Sequence, residues 1–491
     1  MKSQPNLPQM EAPESGVKVR MYRVGSLGDC FLLAFRAESG SARYMLIDCG
    51  VFFATSGGSE RMKAIARDIQ AATGGCIHVL VATHEHWDHL SGFQYAREIF
   101  DEIQVEEAWL AWTEHPGNPL AERLRKRREF TLRALDTAFQ KLREVDSPLV
   151  GLVEGIFGFH DDLAAASGLR GSAGQMKYVQ EKARITRYLR PTEPPITWKD
   201  LSGFRIFVLG PPENEELLTR SDPSGLEGEV YERPEGLNTQ TAFYISVLAG
   251  DDPGKLPPSE ADIFSRSLPF DGKYRIPIKT ASDHAEFGAF FKAAYGFSSD
   301  QGKDQGPEWR RIDTEWLRTL ADLALRLDND TNNTSLALAI ELPGGKVLLF
   351  PGDAQVGNWL SWHQLSWPDE KKGTITTTDL LQRTVLYKVG HHGSHNATLR
   401  AKGLELMTSP DLIALIPVYK AAAERRGWAM PFPQLLERLM EKTQGRILYS
   451  DPDFLTPQDP VNSTAWDVIG CCVTQDESQE KLWVELVVGY P

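Results

Sequence analysis

Three short clusters of histidine and aspartate each begin where an apolar run ends, and two of them hold six of the eleven histidines. The first cluster, THEHWDH (83–89), follows the run IHVLVA, and the second, HHGSH (391–395), follows TVLYKVG. In the third, Asp353 of PGDA comes just after KVLLF. Short apolar runs bounded by polar loops predict buried strands. We therefore expect a fold in which three strand ends converge and carry imidazole and carboxylate groups to one place.

The residue types in these clusters are those that bind divalent metal ions. Neutral imidazole and carboxylate suit Zn²⁺ and its neighbours in the divalent series, and alternate residues of an irregular loop can reach one ion together. An H-x-H pair followed by a D-H pair can serve two ions. Two ions roughly 3.5–4 Å apart can share a hydroxide and hold the oxygens of an attacked ester. We assign Asp353 the position between the ions.

The order of the apolar runs predicts an α/β protein. Strand-like segments from residue 17 form a meander and then a β-α-β unit, and similar segments return after residue 311. Two intervening stretches have a different character, one with helical spacing and one rich in Gly, Pro, Asp and Ser. The predicted parts are a flexible N-terminal tail (1–16), the first half of the fold (17–116), a helical insertion (117–200), a core strand (201–212), a loop-rich insertion (213–310) and the second half with a C-terminal hairpin (311–491).

Composition permits an enzyme and excludes some other classes. The formal charge of −14 argues against a protein that coats nucleic acid electrostatically. Residues 1–16 contain no apolar core of a signal peptide, and no stretch approaches the ~18 apolar residues of a membrane span. The five cysteines form neither a disulfide framework nor a C-x-x-C metal motif. We expect a soluble, cytoplasmic protein with reduced thiols.

The sequence resembles a known enzyme superfamily. THEHWDH resembles the signature of the metallo-β-lactamase superfamily, and further blocks are similar to the soluble domain of ComEC-type competence proteins. These blocks cover most of residues 17–110 and 325–455, whereas the two insertions match nothing in that family. The resemblance implies an αββα sandwich with its metal site where the two sheets meet. It also implies hydrolysis of phosphodiesters, since that domain is regarded as a DNA-degrading nuclease.

The resemblance also implies a role for each motif residue. His84 and His86 correspond to ligands of the first metal, Asp88, His89 and His392 to ligands of the second, and Asp353 to the carboxylate between them. Asp48 matches the early aspartate that orients the metal loop through hydrogen bonds. Asp88 and His391 are the predicted catalytic residues. The His391 imidazole would face the substrate, where it could stabilise a phosphoryl oxygen or protonate a leaving group.

Two departures from the family pattern affect the site. The superfamily usually provides a third histidine to the first metal from a strand end that here reads FVLGPP and offers Gly210. Water or substrate could complete that site, or His284, His160 or His115 could reach it from an insertion, with His284 the foremost candidate. The second departure is WAMP (428–431), where the ComEC branch usually reads G-H-P. It leaves the identity of the substrate open.

Other features have ordinary explanations. The basic segment ERLRKRREF is typical of a solvated helix face, with a surface that guides a strand or binds a partner as the alternative. Trp359, Trp362 and Trp367 are predicted to pack in the core rather than to stack bases. His78 and His363 are interpreted as ordinary polar residues, and Lys388 as a strand residue rather than a catalytic one.

The sequence thus predicts a hydrolase that uses a metal-bound hydroxide, with two divalent ions, Zn²⁺ favoured and Mn²⁺ possible in its place. The expected activity is that of a phosphodiesterase or nuclease on nucleic acid or nucleotides. The alternatives are hydrolysis of another ester or amide (phosphocholine, lactone, thioester or lactam) and an inactive scaffold that binds a partner protein. We expect the insertions to wall the cleft or to recruit a protein partner, and we expect no membrane association.

Overall fold

The computed structural model describes residues 9–53, 55–144, 171–220, 281, 283–295, 315–370, 373–426, 428–453, 466 and 471–490. The chain divides into two compact units. The first comprises 1–126, 155–232 and 328–491, and the second comprises 127–154 and 233–327. All three histidine and aspartate clusters belong to the first unit.

The strands have the following bounds in chain order. They are β1 (Gly16–Tyr22), β2 (Cys30–Arg36), β3 (Ala42–Cys49), β4 (Cys76–Ala82), β5 (Gln104–Ala111), β6 (Ala183–Leu189), β7 (Arg205–Gly210), β8 (Ala337–Glu341), β9 (Val347–Phe350), β10 (Ser366–Asp369), β11 (Gly373–Thr376), β12 (Thr384–Lys388), β13 (Ile413–Ile416), β14 (Ile447–Tyr449), β15 (Val473–Gln475) and β16 (Trp483–Gly489).

The helices alternate with these strands along much of the chain. They are α1 (Gly58–Thr73), α2 (Trp87–Tyr95), α3 (Arg97–Glu102), α4 (Pro119–Glu144), α5 (Ser172–Lys182), α6 (Glu215–Leu218), α7 (Gly288–Tyr295), α8 (Glu315–Asn332), α9 (Val356–Trp362), α10 (Thr377–Gln382), α11 (Lys420–Glu424) and α12 (Pro433–Thr443). Among the described residues, every helix is too short or too polar to cross a bilayer.

Two mixed sheets confirm the predicted α/β class. The larger sheet has the order β15-β16-β1-β2-β3-β4-β5-β6, in which β3 to β6 run parallel to one another. The smaller has the order β14-β13-β12-β9-β8-β7, in which β9, β12, β13 and β14 are parallel. A separate pair, β10-β11, is antiparallel. Parallel neighbours place their carboxyl ends at one edge of each sheet, and that edge carries the histidine and aspartate clusters.

The two sheets share one hydrophobic core. Strand β2 shows how its sequence produces this packing, because successive side chains of a strand point to opposite faces. Phe31, Leu33 and Phe35 enter the core that contains residues of both sheets, whereas Leu32 and Ala34 join a second core on the outer face. A strand buried on both faces must be apolar at every position, which explains the uninterrupted run CFLLAF.

Helices cover the outer face of each sheet. Residues of α1 and α2, such as Ile69 and Leu90, pack on the larger sheet. Trp359 and Trp362 of α9 pack on the smaller sheet and are fully buried, and Trp367 is also buried. The interpretation of these three tryptophans as core residues is therefore confirmed. Each large apolar side chain buried in this way contributes roughly 1.5–3 kcal/mol.

Two predicted boundaries are wrong in part. Residues 183–189, predicted to lie in the helical insertion, form β6 and pair in parallel with β5 at the edge of the larger sheet. Most of β6 is only partly buried, so its sequence lacks the apolar pattern that marks an inner strand. Residues 9–12 of the predicted flexible tail are packed, because Met10 is buried and its backbone bonds Ala72 and Tyr44.

Glycines allow three loops to meet tightly beside the clusters. A Cβ on Gly50 would lie 2.3–2.5 Å from backbone atoms of Asp88 and His89. The same contact is fixed by hydrogen bonds from Asp29 N–H to Asp88 O and from Gly50 N–H to Asp29 O, each 3.0 Å long. The loop after β3 therefore sets the position of the loop after β4.

Substitution of Gly50 tests this close approach. Gly50→Ala is expected to lower the free energy of unfolding by at least ~2 kcal/mol, because backbone atoms on both sides must move. Gly117→Ala serves as the control, since its nearest contact at 3.3 Å is the side chain of His115. Urea unfolding of both variants checks the difference, and equal stability of the two variants would contradict it.

Candidate metal centre

Four buried side chains bring ligand atoms within 4.8 Å of one another. They are Asp88 and His89 at the start of α2, Asp353 after β9, and His392 after β12. The His89 Nε2 atom lies 3.2 Å from Asp353 Oδ2, and the His392 Nε2 atom lies 3.0 Å from Asp88 Oδ2. The three predicted strand ends thus meet in one cluster.

The backbone around the cluster adopts conformations that cost energy. Asp48, His391 and His392 have φ values of 54°, 43° and 53°, in the left-handed region that side chains other than glycine rarely occupy. Such residues cost of order 1–3 kcal/mol each and are concentrated at functional sites. The His391-His392 turn has this conformation, and its His392 ring contacts Asp88.

The first histidine pair lies beside this cluster rather than within it. His84 Nε2 and His86 Nδ1 are 2.9 Å apart, and the ring centroids of His84 and His89 are 4.2 Å apart. Two nitrogens bound to one tetrahedral Zn²⁺ at about 2.0–2.1 Å would be roughly 3.3 Å apart. The pair therefore has nearly the spacing of two ligands of one ion.

Asp48 and its neighbour Thr83 determine which ring nitrogens of two histidines carry a proton. Thr83 donates its N–H to Asp48 Oδ1 (2.8 Å) and its hydroxyl to Asp48 Oδ2 (2.7 Å). The hydroxyl can then only accept from His84 Nδ1, 3.0 Å away. His89 Nδ1 lies 2.8 Å from Asp48 Oδ2 and donates to it. Both rings consequently keep Nε2 unprotonated when neutral.

His392 follows the same pattern. Its Nδ1 lies 2.7 Å from the carbonyl oxygen of Pro417, which can only accept a hydrogen bond. The neutral ring therefore carries its proton on Nδ1 and presents the Nε2 lone pair to Asp88. Metal-binding histidines usually donate their other N–H to a carboxylate or carbonyl in this way.

The inward-facing atoms form a set that fits divalent cations. The Nε2 atoms of His89 and His392 point at carboxylate oxygens of Asp353 and Asp88, and two acceptors facing each other are unfavourable, so each pair holds either a ring proton or, when the ring is neutral, a metal ion. Asp88 Oδ1 is buried and accepts no hydrogen bond from the described part of the chain. The residues present therefore fit a metal centre, a finding that identifies neither the ion nor the number of ions.

A buried lysine and a buried aspartate, neither of which was predicted to contact the site, complete the surroundings of Asp353. Lys388 Nζ is 2.9 Å from Asp353 Oδ1 and forms an ion pair with Asp29 Oδ2. The same Asp353 oxygen accepts the backbone N–H of His391 at 3.0 Å. With Oδ1 engaged twice, Asp353 turns Oδ2 towards His89. Lys388 is a strand residue as expected, but it also contacts the cluster.

Burial and neighbouring charges shift the pKa values of the residues in this centre in different directions. Burial would raise the pKa of Asp353, but Lys388 and His89 outweigh it and hold that pKa well below its usual value. Burial would lower the pKa of His89 and of His392, yet neighbouring carboxylates raise both. Burial lowers the pKa of His391 to about 4, so this ring is neutral at pH 7.

Gly210 cannot be replaced by a histidine ligand in this fold. A Cβ at Gly210 would lie 1.9 Å from Oδ1 of Asn358, whose Nδ2 is bonded to the carbonyls of Asn333 and Ser335. The anchored Asn358 side chain fills the space that a third histidine would need.

The three histidines considered as substitutes have other surroundings. His115 Nδ1 accepts the N–H of Gly117, and its ring packs near Tyr188. His284 belongs to the second unit, where its Nδ1 accepts N–H groups of Glu286 and Phe287. His160 lies outside the described residues. Among the residues that the structure describes, neither His115 nor His284 belongs to a group of side chains that could hold a metal ion.

A second group that could hold a metal lies on the larger sheet. It consists of Cys76, His78 and Glu106. His78 Nδ1 accepts the N–H of Tyr44, and its Nε2 is 3.3 Å from the guanidinium of Arg43. Both ring nitrogens of His78 have partners, and the partner of Nε2 is the cationic guanidinium of Arg43. This group is therefore poorly suited to a metal ion.

The WAMP segment lies against the second histidine cluster. Phe432 N–H donates to Gly393 O at 2.8 Å, and a Cβ on Gly393 would lie 2.9 Å from Pro431. The Arg426 guanidinium covers the Phe52 ring at 4.2 Å, and the Trp428 ring lies 5.8 Å from that of Phe52. An aromatic and cationic patch thus lies close in sequence to the predicted substrate contact.

Comparison of the sequence with models of known protein families finds no match, and comparison with curated proteins finds none either. The geometry of the centre therefore carries the argument for function.

Metal binding is expected to release protons. The raised pKa values of His89 and His392 mean that these rings hold protons near neutral pH, whereas an ion binds only the neutral ring. Affinity should therefore rise as pH rises through these pKa values and then level off. Calorimetric titration with Zn²⁺ in buffers of different ionisation enthalpy measures the released protons. Binding without proton release between about pH 6 and 8 would contradict the assignment.

The ion pair of Lys388 with Asp29 is expected to stabilise the metal-free fold. Lys388→Met should lower the free energy of unfolding by about 3–5 kcal/mol, because it leaves buried carboxylates without their cation. The double variant with Asp29→Asn should lose less than the sum of the two single losses. Urea unfolding in the presence of a chelator measures this coupling, and strict additivity would exclude it.

Proposed function

We propose that this chain is a metal-dependent hydrolase of the metallo-β-lactamase type and that it cleaves phosphodiesters. One observation carries the proposal. The outer ring nitrogens of His84, His89 and His392 are committed to protein acceptors. The inner nitrogens of His89 and His392 consequently converge with Asp88 and Asp353 on one buried cluster, and His84 lies beside it. Uncommitted histidines and carboxylates without this ordering would not support an active centre.

The fold gives independent support. Two sheets share a core, helices cover both outer faces, and the cluster lies at the carboxyl ends of β4, β9 and β12. This arrangement agrees with the αββα sandwich that THEHWDH, PGDA and HHGSH imply. The agreement supports a relationship to the superfamily, and the order of the motifs supports the ComEC-type branch.

Negative charge favours bound cations. Five buried carboxylates each have an oxygen within 4.0 Å of a nitrogen of His86, His89 or His392; they are Asp29, Asp48, Asp88, Asp328 and Asp353. Lys388 is the charged ammonium beside them, so the carboxylates carry surplus negative charge whenever the histidines are neutral, and divalent ions would offset it. The two ligand groups, His84 with His86 and Asp88 with His89 and His392, favour two ions. Uncompensated buried charge is costly. Four imidazoles favour Zn²⁺, and the carboxylates make Mn²⁺ the alternative.

The candidate metal ligands and His391 would have different chemical roles. Ions held here would supply an activated water and polarise the attacked ester. His84 and His86 would hold one ion, Asp88, His89 and His392 the other, with Asp353 Oδ2 between them. His391 is neutral at pH 7 and offers one N–H to a phosphoryl oxygen.

The surface leaves open whether the substrate is a polymer or a small phosphodiester. On helix α4, Arg123 pairs with Glu215, Lys126 with Glu122, and Arg125 bonds backbone carbonyls of Thr113 and His115. Such pairing is typical of a solvated helix face and does not favour a strand-guiding surface. Another ester or amide remains the alternative substrate, and the ordered ligand set argues against an inactive scaffold.

A metal-supplemented screen tests the proposal. Purified protein with Zn²⁺ or Mn²⁺ should cleave bis(p-nitrophenyl) phosphate and at least one of single-stranded DNA, RNA or a nucleotide phosphodiester. His86→Ala and Asp88→Ala should each lower the rate at least about 100-fold and reduce bound metal in elemental analysis. His363→Ala, which removes an imidazole bonded to Lys402 O, is the matched control and should retain both.

Two outcomes would overturn the proposal. Intact phosphodiesters together with rapid opening of a lactam, lactone or thioester would show the substrate class to be wrong. Absence of metal from protein purified and reconstituted with either ion would favour the scaffold.

A further inference from the structure

The outer nitrogen of the fourth site histidine faces a carboxylate that no sequence motif includes. His86 Nε2 lies 3.7 Å from Asp328 Oδ1. Both side chains are almost completely buried, and Asp328 belongs to the last turns of helix α8. A hydrogen bond of about 2.9 Å would need an approach of only about 0.8 Å.

The other oxygen of Asp328 is already occupied. Asn332, one turn further along the helix, donates its side-chain N–H to Asp328 Oδ2 at 3.1 Å. Asp328 Oδ1 accepts no hydrogen bond within the part of the chain that the structure describes. A buried carboxylate oxygen without a donor is costly, and the His86 N–H is the donor that this position can receive.

We propose that Asp328 is a positioning residue that accepts the Nε2–H of His86 and so keeps Nδ1 of that ring unprotonated for the first metal ion. This inference rests on the proposed metal-dependent function. It gives His86 the arrangement that Asp48 gives His89 and that Pro417 O gives His392. All four rings would then direct one lone pair inward and one N–H outward.

The geometry favours this role over direct coordination by Asp328. The two nitrogens of an imidazole point in divergent directions. His86 Nδ1 faces His84 Nε2 at 2.9 Å, so an ion shared by this pair lies at the Nδ1 edge of the ring. Asp328 lies at the Nε2 edge. A carboxylate on that edge orients the ligand and does not replace the missing third histidine.

The pair formed by Asp328 and Asn332 provides a sharp test. In Asp328→Asn, a carboxamide that keeps the hydrogen bond from the Asn332 N–H turns its NH₂ group towards His86. An NH₂ group cannot accept the Nε2–H, so the hydrogen bond that holds the ring is lost. Adding Asn332→Asp supplies a carboxylate that accepts the NH₂ group, so the carboxamide oxygen faces His86 again. The single variant should therefore remove this hydrogen bond in the metal-bound protein, and the double variant should restore it.

Two measurements read out these variants. Long-range ¹H–¹⁵N spectra of Zn²⁺-loaded protein with ¹⁵N-labelled histidine show, by the downfield shift and slow exchange of the His86 Nε2–H, whether that proton is hydrogen-bonded; loss of the signal in His86→Gln assigns it. Titration with Co²⁺ reports affinity and ligand geometry through visible absorption. We expect a hydrogen-bonded Nε2–H in the wild type, loss of that hydrogen bond with about 10–100-fold weaker binding of one Co²⁺ in the single variant, and recovery of both in the double variant.

Controls separate positioning from general damage. Asp68→Asn removes an equally buried carboxylate whose partners are Arg20 and Tyr22, and it should change neither the His86 Nε2–H signal nor Co²⁺ binding. Asp328→Leu is the second test variant; it removes the acceptor without adding a donor and should leave the His86 Nε2–H without a hydrogen bond. Thermal unfolding of each variant shows whether it is folded.

The outcomes are distinct. A His86 Nε2–H without a hydrogen bond in the metal-bound wild type, or an unchanged Nε2–H signal in both Asp328→Asn and Asp328→Leu, would overturn the role of Asp328. Loss of a Co²⁺ ligand band in Asp328→Leu would also overturn it, in favour of direct coordination. If the wild type binds no Co²⁺, Zn²⁺ or Mn²⁺, the proposed function fails and the role of Asp328 fails with it, whereas metal binding that both Asp328 variants leave unchanged refutes the role of Asp328 alone.

Discussion

One carboxylate, that of Asp48, determines how the centre is ordered. Its two oxygens accept the N–H and the hydroxyl of Thr83 and the Nδ1–H of His89. Because the Thr83 hydroxyl donates its proton to Asp48, it can only accept a hydrogen bond from His84 Nδ1. The neutral His84 ring therefore carries its proton on Nδ1. A single buried aspartate thus directs two imidazole lone pairs inward, and the three hydrogen bonds offset the cost of its left-handed backbone at φ 54°.

The same region must hold more negative charge than its own cation can balance. Lys388 is buried between Asp29 and Asp353, and these carboxylates raise its pKa against the effect of burial, so it remains charged. Burial together with Asp88 and Asp353 raises the pKa of Asp328 well above its usual value. One ammonium therefore keeps the central aspartate ionised, and surplus negative charge elsewhere in the cluster would favour the binding of a cation.

The sequence predicts those parts of the molecule that have local signals. Uninterrupted apolar runs indicate strands buried on both faces, and motifs on three loops identify residues that the fold brings together. Asp29, Lys388 and Asp328 carry no such signal, because each is a single charged residue whose partners are distant in the chain. Strand β6 was missed because an edge strand needs little apolar pattern. The obstruction at Gly210 depends on Asn358, which no pattern at Gly210 reveals.

The hydrogen bonds that position the candidate ligand residues do not involve the side-chain atoms that would face a metal ion. Backbone hydrogen bonds from Leu336 to Thr83 and from Asp29 to Asp88 join the loops, and Ser335 Oγ accepts the N–H of Asp353. These contacts use backbone atoms and the Ser335 hydroxyl, and none of them requires an ion. The centre can therefore be shaped by folding alone, and the free energy of metal binding need not be spent on arranging loops. A site ordered in advance can instead apply that binding energy to holding an ion tightly while it contacts a substrate.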